Sequence, residues 1–184
     1  MNESQIANPA PLGLLSFGMT TVLLNLHNAG IIGLSIVIVA MGIAIGGSAQ
    51  IIAGIMEFKK NNMFGATAFV AYGWFWWSLV IIWCNPFSDR IASADPKSMG
   101  FYLLLWGIFS GFMFIGTLKH NTISKIIFFT LTVLFFLLAT GDFTGIHAIT
   151  TFAGYEGIFC GSSAIYAAVA QIINSEFKKN IMPC

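Results

Sequence analysis

Between Glu3 and Glu57 the chain carries no charged side chain, and several later stretches are almost as bare. Runs of this kind cannot build a water-exposed surface, so they must be buried in hydrocarbon. A spanning helix needs about 20 apolar residues. Charges and turn residues divide the sequence into six such stretches, near 10–28, 33–57, 64–84, 99–118, 122–141 and 152–175. Only 8% of the 184 residues are charged and 57% are hydrophobic, against roughly 25% charged in soluble domains. The expected fold class is an all-α membrane protein with six transmembrane helices, forming one integral membrane domain over 1–184.

Little chain is left outside these spans. The one sizeable connection is CNPFSDRIASADPKS (84–98), whose Pro, Asp and Ser content suits an ordered surface loop. With a net charge of +1 there is no basic stripe for a phosphate backbone, which excludes nucleic acid as a partner. Cys84, Cys160 and Cys184 are widely separated and odd in number, so neither a disulfide framework nor a metal site is expected. They read as small apolar side chains in or near helices. No Lys or Arg precedes the first apolar segment, which argues against a cleaved signal peptide.

Cationic residues set the orientation. On the side of the N-terminus lie Lys59, Lys60, Lys119, Lys125, Lys178 and Lys179; on the other side only Arg90 and Lys97 occur, near Asp89 and Asp95. The positive-inside rule places both termini in the cytoplasm. Trp76, Trp77 and Trp83 are expected in an interfacial aromatic belt.

Three similar pentapeptides recur in the even-numbered spans: GIAIG (42–46), GIFSG (107–111) and GIFCG (157–161). Gly at i and i+4 lies on one helix face and lets a neighbouring backbone approach closely. The packing glycines are therefore Gly42, Gly46, Gly107, Gly111, Gly157 and Gly161, and the recurrence suggests a helical hairpin used three times around a central pathway. Phe17, Tyr72 and Leu131 precede these motifs at related positions, each near the middle of an odd span. Three hairpins about a quasi-threefold axis would bring them together at the bilayer midplane. An apolar ring there acts as a constriction.

Asp142 and Glu156 fall at the non-cytoplasmic ends of spans 5 and 6, and Glu57 at the cytoplasmic end of span 2; no charge is central. That counts against an internal carboxylate relay and against an intramembrane hydrolase, so no enzyme, cofactor or metal is expected. His27, His120 and His147 lie at loop level. What the spans carry instead is uncharged hydrogen-bonding groups: Thr20, Thr21 and Asn25, with Asn28, then Ser48, Gln50, Thr130 and Ser163. A long amide such as Gln50 must find partners in hydrocarbon. Such a lining suits a small polar solute that is not held by a fixed charge.

The first span opens with NPAP: Asn8 is expected as the N-cap, Pro9 at the first helical position and Pro11 in the first turn, with Gly13 leaving room on the Phe17 face. The free N–H groups of such a helix start attract anions. NPAPLGL (8–14), FGMTT (17–21) and GGSAQIIAG (46–54) together resemble the acetate uptake transporter family, in its bacterial succinate–acetate permease branch, and the likeness runs over essentially the whole chain. The resemblance implies a six-helix protomer that assembles as a homohexamer in the inner membrane, with one solute pathway per protomer. It implies transport of acetate, and of succinate or other short carboxylates, by a proton-linked or channel-like route. It also places Phe17, Tyr72 and Leu131 at the narrow ring and NPAPLGL at the site of uptake. The residues alone leave two alternatives open, a urea or amide channel and a membrane scaffold or acetate sensor.

Overall fold

In a computed structural model, residues 7–183 are described; residues 1–6 and Cys184 lie outside the described residues, and with them the two ends of the expected 1–184 domain. Among the described residues, six helices are long and apolar enough to cross a membrane: α1 (Ala10–Asn28), α2 (Ile36–Lys59), α3 (Met63–Cys84), α4 (Pro96–Lys119), α5 (Thr122–Thr144) and α6 (His147–Phe177). Asx side chains start three of them. Asn62 accepts from Gly65 N, Asp95 from Lys97 N and Ser98 N, and Asn121 from Ser124 N, satisfying helix-terminal donors that have no intrahelical partner. Left-handed Asn85 and Gly145 end α3 and α5.

The helices differ from expectation mainly at their ends. α4 starts at Pro96 rather than near 99, because the Asp95 cap and Pro96 define the start chemically. α6 starts at His147 rather than near 152, since polar but uncharged residues continue a helix as readily as apolar ones. Asn8 does not cap α1. Pro9 already has helical dihedrals and occupies the cap position, so Asn8 sits one residue further out, its side chain accepting from Ala10 N at 3.3 Å. Within α2, residues Gly42–Ala49 form a π-helix, a widening that often marks functional positions.

The recurring glycines face neighbouring helices. A Cβ on Gly42 or Gly46 would meet Trp76 of α3, one on Gly107 or Gly111 would meet Phe136 or Thr132 of α5, and one on Gly157 or Gly161 would meet Asn25 or Val22 of α1. Each even helix thus lays its glycine face on the next odd helix, with α6 closing back onto α1. The expected unit of consecutive hairpins is therefore not the unit of closest packing. α3 and α4, joined by the long loop, meet through side chains instead, by Tyr72–Ser110 and Ser78–Tyr102 hydrogen bonds. Large apolar side chains such as Trp74, Phe112, Leu105 and Phe152 point outward and are exposed.

Candidate functional site

Three cavities lie in series along the inside of the bundle. The first has a volume of about 160 Å³ and opens toward the terminal face, where the chain enters α1 and leaves α6. Its polar lining comes from Gln50, Asn62, His120, Ser124 and Gln171. The second is about 30 Å³ and the third, toward the opposite face, about 160 Å³. Thr21, Asn25 and Trp76 line the second; His27, Asn28, Asp142 and Thr150 line the third.

Phe17, Tyr72 and Leu131 line both the first and the second cavity, so they form the wall between them. All three are nearly inaccessible, at 6%, 3% and 2% of full exposure. The Phe17 and Tyr72 rings are 6.1 Å apart and tilted by 48°. A second wall stands between the second and third cavities, made by Leu24, Phe75 and Leu138, which line both. Sequence reasoning missed this wall. Its signal is present: Leu24 follows Phe17, and Leu138 follows Leu131, by two helical turns on the same face.

The expected polar groups divide into two sets. Gln50, Thr21 and Asn25 line cavities. Thr20, Ser48, Thr130 and Ser163 are not among the lining residues; each hydroxyl donates to its own helix backbone, Thr20 to Ser16 O, Ser48 to Ile43 O, Thr130 to Ile126 O and Ser163 to Phe159 O. Back-bonding satisfies a hydroxyl locally and removes any need to face a pathway. Asn25 donates to Thr21 O and accepts from Asn28, in the space that Gly157 leaves open. Gln50 is 1% exposed and its Oε1 has no hydrogen-bond partner.

The NPAP entrance sits beside the first cavity. Asn8 accepts from Lys60 Nζ at 3.2 Å and donates to Gln171 Oε1 at 3.1 Å, tying the start of α1 to the ends of α2 and α6. Pro9 is buried, Pro11 occupies the first turn, and Gly13 packs flat against the Phe69 ring. Ala10 and Leu14, from the same stretch, line the cavity itself.

Of the three carboxylates expected at the mouths, Asp142 lines the third cavity, and Glu57 and Glu156 line none of these three. Glu57 is 1% exposed behind Asn62, which donates to its Oε2 at 2.8 Å, while its Oε1 is unpartnered. Because α6 begins early, Glu156 lies in its third turn rather than at its edge; both its oxygens are buried without partners, away from all three cavities. Trp76 is likewise not an interfacial residue. It is 2% exposed and faces inward, because Gly46 and Gly42 let its ring lie against the α2 backbone. Trp77 also packs on α2, at Gly47, and Trp83 lines the third cavity. Among the described residues, no group of three or more His, Cys, Asp or Glu is placed to hold a metal ion.

Six apolar helices around a row of small cavities, walled by apolar rings and lined between them by polar side chains, define a multi-pass membrane protein with an internal pathway for small solutes. The chain belongs to the GPR1/FUN34/yaaH family, whose model matches residues 1–183. It is 51% identical to the succinate-acetate/proton symporter SatP of Escherichia coli (strain K12), over 100% of this chain and 97% of that protein. It is 52% identical to an uncharacterized protein of Methanothermobacter thermautotrophicus, over 98% and 92% of the two chains. The solved structure of the bacterial acetate channel SatP superimposes with a TM-score of 0.95 at 51% identity, covering 97% of this chain and 99% of that one.

Proposed function

We propose that the protein carries acetate, and with it succinate or other short carboxylates, across the bacterial inner membrane through the row of cavities in each protomer. The observation that carries this reading is the first cavity. It is built where the NPAP stretch meets α2 and α6, it is lined by neutral amides and hydroxyls, and it ends on the wall of Phe17, Tyr72 and Leu131. Full-length identity to a succinate-acetate symporter supports the solute class. Phe17, Tyr72 and Leu131 act as the constriction, and Asn8 holds the entrance in place. Glycines of the even helices set the helix spacing, repeated three times about the pathway.

Both termini face the cytoplasm, because six of the eight cationic side chains lie at that end. The outward aromatic and aliphatic surface meets lipid and neighbouring protomers of a homohexamer. No charged side chain lines the middle cavity, so a coupled proton travels on the substrate or, at the outer mouth, by Asp142, the one expected mouth carboxylate that lines these cavities, and the protein is a transporter rather than an enzyme. Uptake of labelled acetate and of labelled urea into proteoliposomes tests the reading: acetate accumulates and succinate competes with it. Urea flux without acetate flux would mean a neutral-amide channel instead.

A further inference from the structure

Two helices of the chain end on the same five residues, EFKKN, at 57–61 and 176–180. In the first copy Lys60 holds Asn8 at the entrance and Glu57 turns inward to Asn62, while Phe58 and Lys59 are exposed and serve neither. The turn between α2 and α3 adjoins the turn between α4 and α5. Phe64, at the start of α3, stacks edge-on against His120 at 4.8 Å and meets Gly116. Around this junction Phe58, Met63 and Leu118 are 55%, 78% and 54% exposed. Ile55 and Ile115, one turn further from the terminal face, continue the exposed apolar strip along α2 and α4. Lys59 and Lys119 directly follow Phe58 and Leu118. Among the described residues the one ion pair, Arg90–Asp89, lies at the opposite end, so no carboxylate neutralises either lysine.

We propose that this shoulder, with Lys59 and Lys119 above Phe58, Met63 and Leu118, binds the headgroup phosphate of an anionic phospholipid, whose acyl chains lie along the apolar strip. The inference rests on the orientation and the entrance proposed above. In a bilayer the apolar residues sit at the acyl boundary, and the lysine stems carry their ammonium heads to the level of the phosphates. An ammonium is a point charge with three donors, suited to a phosphate approached from several directions. The opposite face offers no equivalent, since Arg90 and Lys97 stand beside Asp89 and Asp95. Nor does the second EFKKN copy. Asn8 bonds Gln171, which marks the level of the entrance on α6, and six further residues carry that helix end about 9 Å beyond it. The chain then turns back onto Asn174, which accepts from Ile181 N and Met182 N. Lys178 and Lys179 therefore stand off from the lipid. Because Lys60 shares the α2–α3 turn with Lys59, a headgroup held there braces the Lys60–Asn8 bond of the entrance.

The test uses the full chain, with phosphatidylglycerol as the anionic lipid and phosphatidylcholine as the neutral one. Native mass spectrometry from detergent is expected to show phosphatidylglycerol retained in preference to phosphatidylcholine. Lys59→Gln and Lys119→Gln should each lower that retention about fivefold, the weight of one cation at an anionic leaflet. Lys178→Gln with Lys179→Gln, the same motif in the other setting, should leave it unchanged. In proteoliposomes, wild-type acetate uptake should rise with the fraction of phosphatidylglycerol, and the Lys59→Gln, Lys119→Gln protein should lose that rise. Equal retention of the two lipids, or equal losses in the two pairs of variants, overturns the site. So does displacement of the lipid by inorganic phosphate, which would mean a soluble anion, or a second copy of the chain held there in its place. Specific retention with uptake indifferent to phosphatidylglycerol overturns the bracing of the entrance. Absence of acetate flux in every vesicle overturns the transport reading and leaves the retention result standing.

Discussion

The Tyr72 hydroxyl donates to Ser110 Oγ across 2.8 Å, and the direction is fixed because Ser110 uses its own proton on Trp106 O at 2.7 Å. This bond links α3 to α4, a pair not held together by one of the recurring glycine faces. It also sets the angle of a constriction residue. Ser110→Ala leaves a fully buried phenol unpaired, which costs about 1–3 kcal/mol of stability. Thermal unfolding in detergent is expected to show that loss, and acetate flux to become less selective against lactate as the Tyr72 ring gains freedom. Unchanged melting and selectivity would mean that Ser110 does not position the ring.

Removing bulk from the wall should widen it. Phe17→Ala and Leu131→Ala each open the partition between the first two cavities, and both are expected to admit lactate at rates the wild type does not reach. Leu24→Ala opens only the second wall, so by itself it should change lactate passage little. If Leu24→Ala alone admits lactate, the narrowest point lies at the second wall.

Glycine positions give a contrast in stability. A Cβ on Gly161 would stand 2.8 Å from Gly18 O, a backbone atom that can retreat only if α1 and α6 separate. Gly33, in the α1–α2 connection, has nothing within 4 Å of such a Cβ. Gly161→Ala is expected to lower the melting temperature by several degrees, and Gly33→Ala to leave it unchanged within error. Equal effects would remove close helix packing as the reason for the GIFCG motif.

Asp95 at the start of α4 makes a pH prediction. Hydrogen bonds from the Ser98 side chain and backbone, then from Lys97 N, hold its carboxyl below the usual carboxylate range. A depressed pKa contributes stability that is fully present above the unfolded value and lost as pH falls through the folded one. Melting temperature should therefore fall on acidification through and below the ordinary carboxylate range. Asp95→Asn should flatten that part of the profile, as followed by circular dichroism.

Much of this organisation is visible in the residues alone, for identifiable reasons. Charge placement delimits six spans, because lipid tolerates few charged side chains. Phe17, Tyr72 and Leu131 stand out because three glycine pentapeptides give their spans a common register. Other features depend on which way a face turns. Trp76 and Trp83 are both tryptophans of α3, and only the three-dimensional arrangement shows that one is walled in against Gly46 while the other lines the third cavity. Leu24 and Leu138 are inconspicuous in a leucine-rich chain. Asn62, His120 and Gln171 converge on the first cavity from three different helix ends, which no local pattern encodes. Polar residues were the weakest guide, since Thr20, Thr130 and Ser163 satisfy themselves on their own helices.

The central claim is that acetate passes Leu131 inside the protomer. Leu131→Cys in proteoliposomes, treated with a bulky methanethiosulfonate reagent that enters the first cavity, tests it most directly. With Cys184 and the exposed Cys84 first replaced by Ser and Cys160 fully buried, acetate uptake should fall to background after treatment and recover on reduction, while the same background with Leu131 intact is unaffected. Acetate uptake that continues at the untreated rate in fully modified Leu131→Cys would place the route elsewhere and contradict the account.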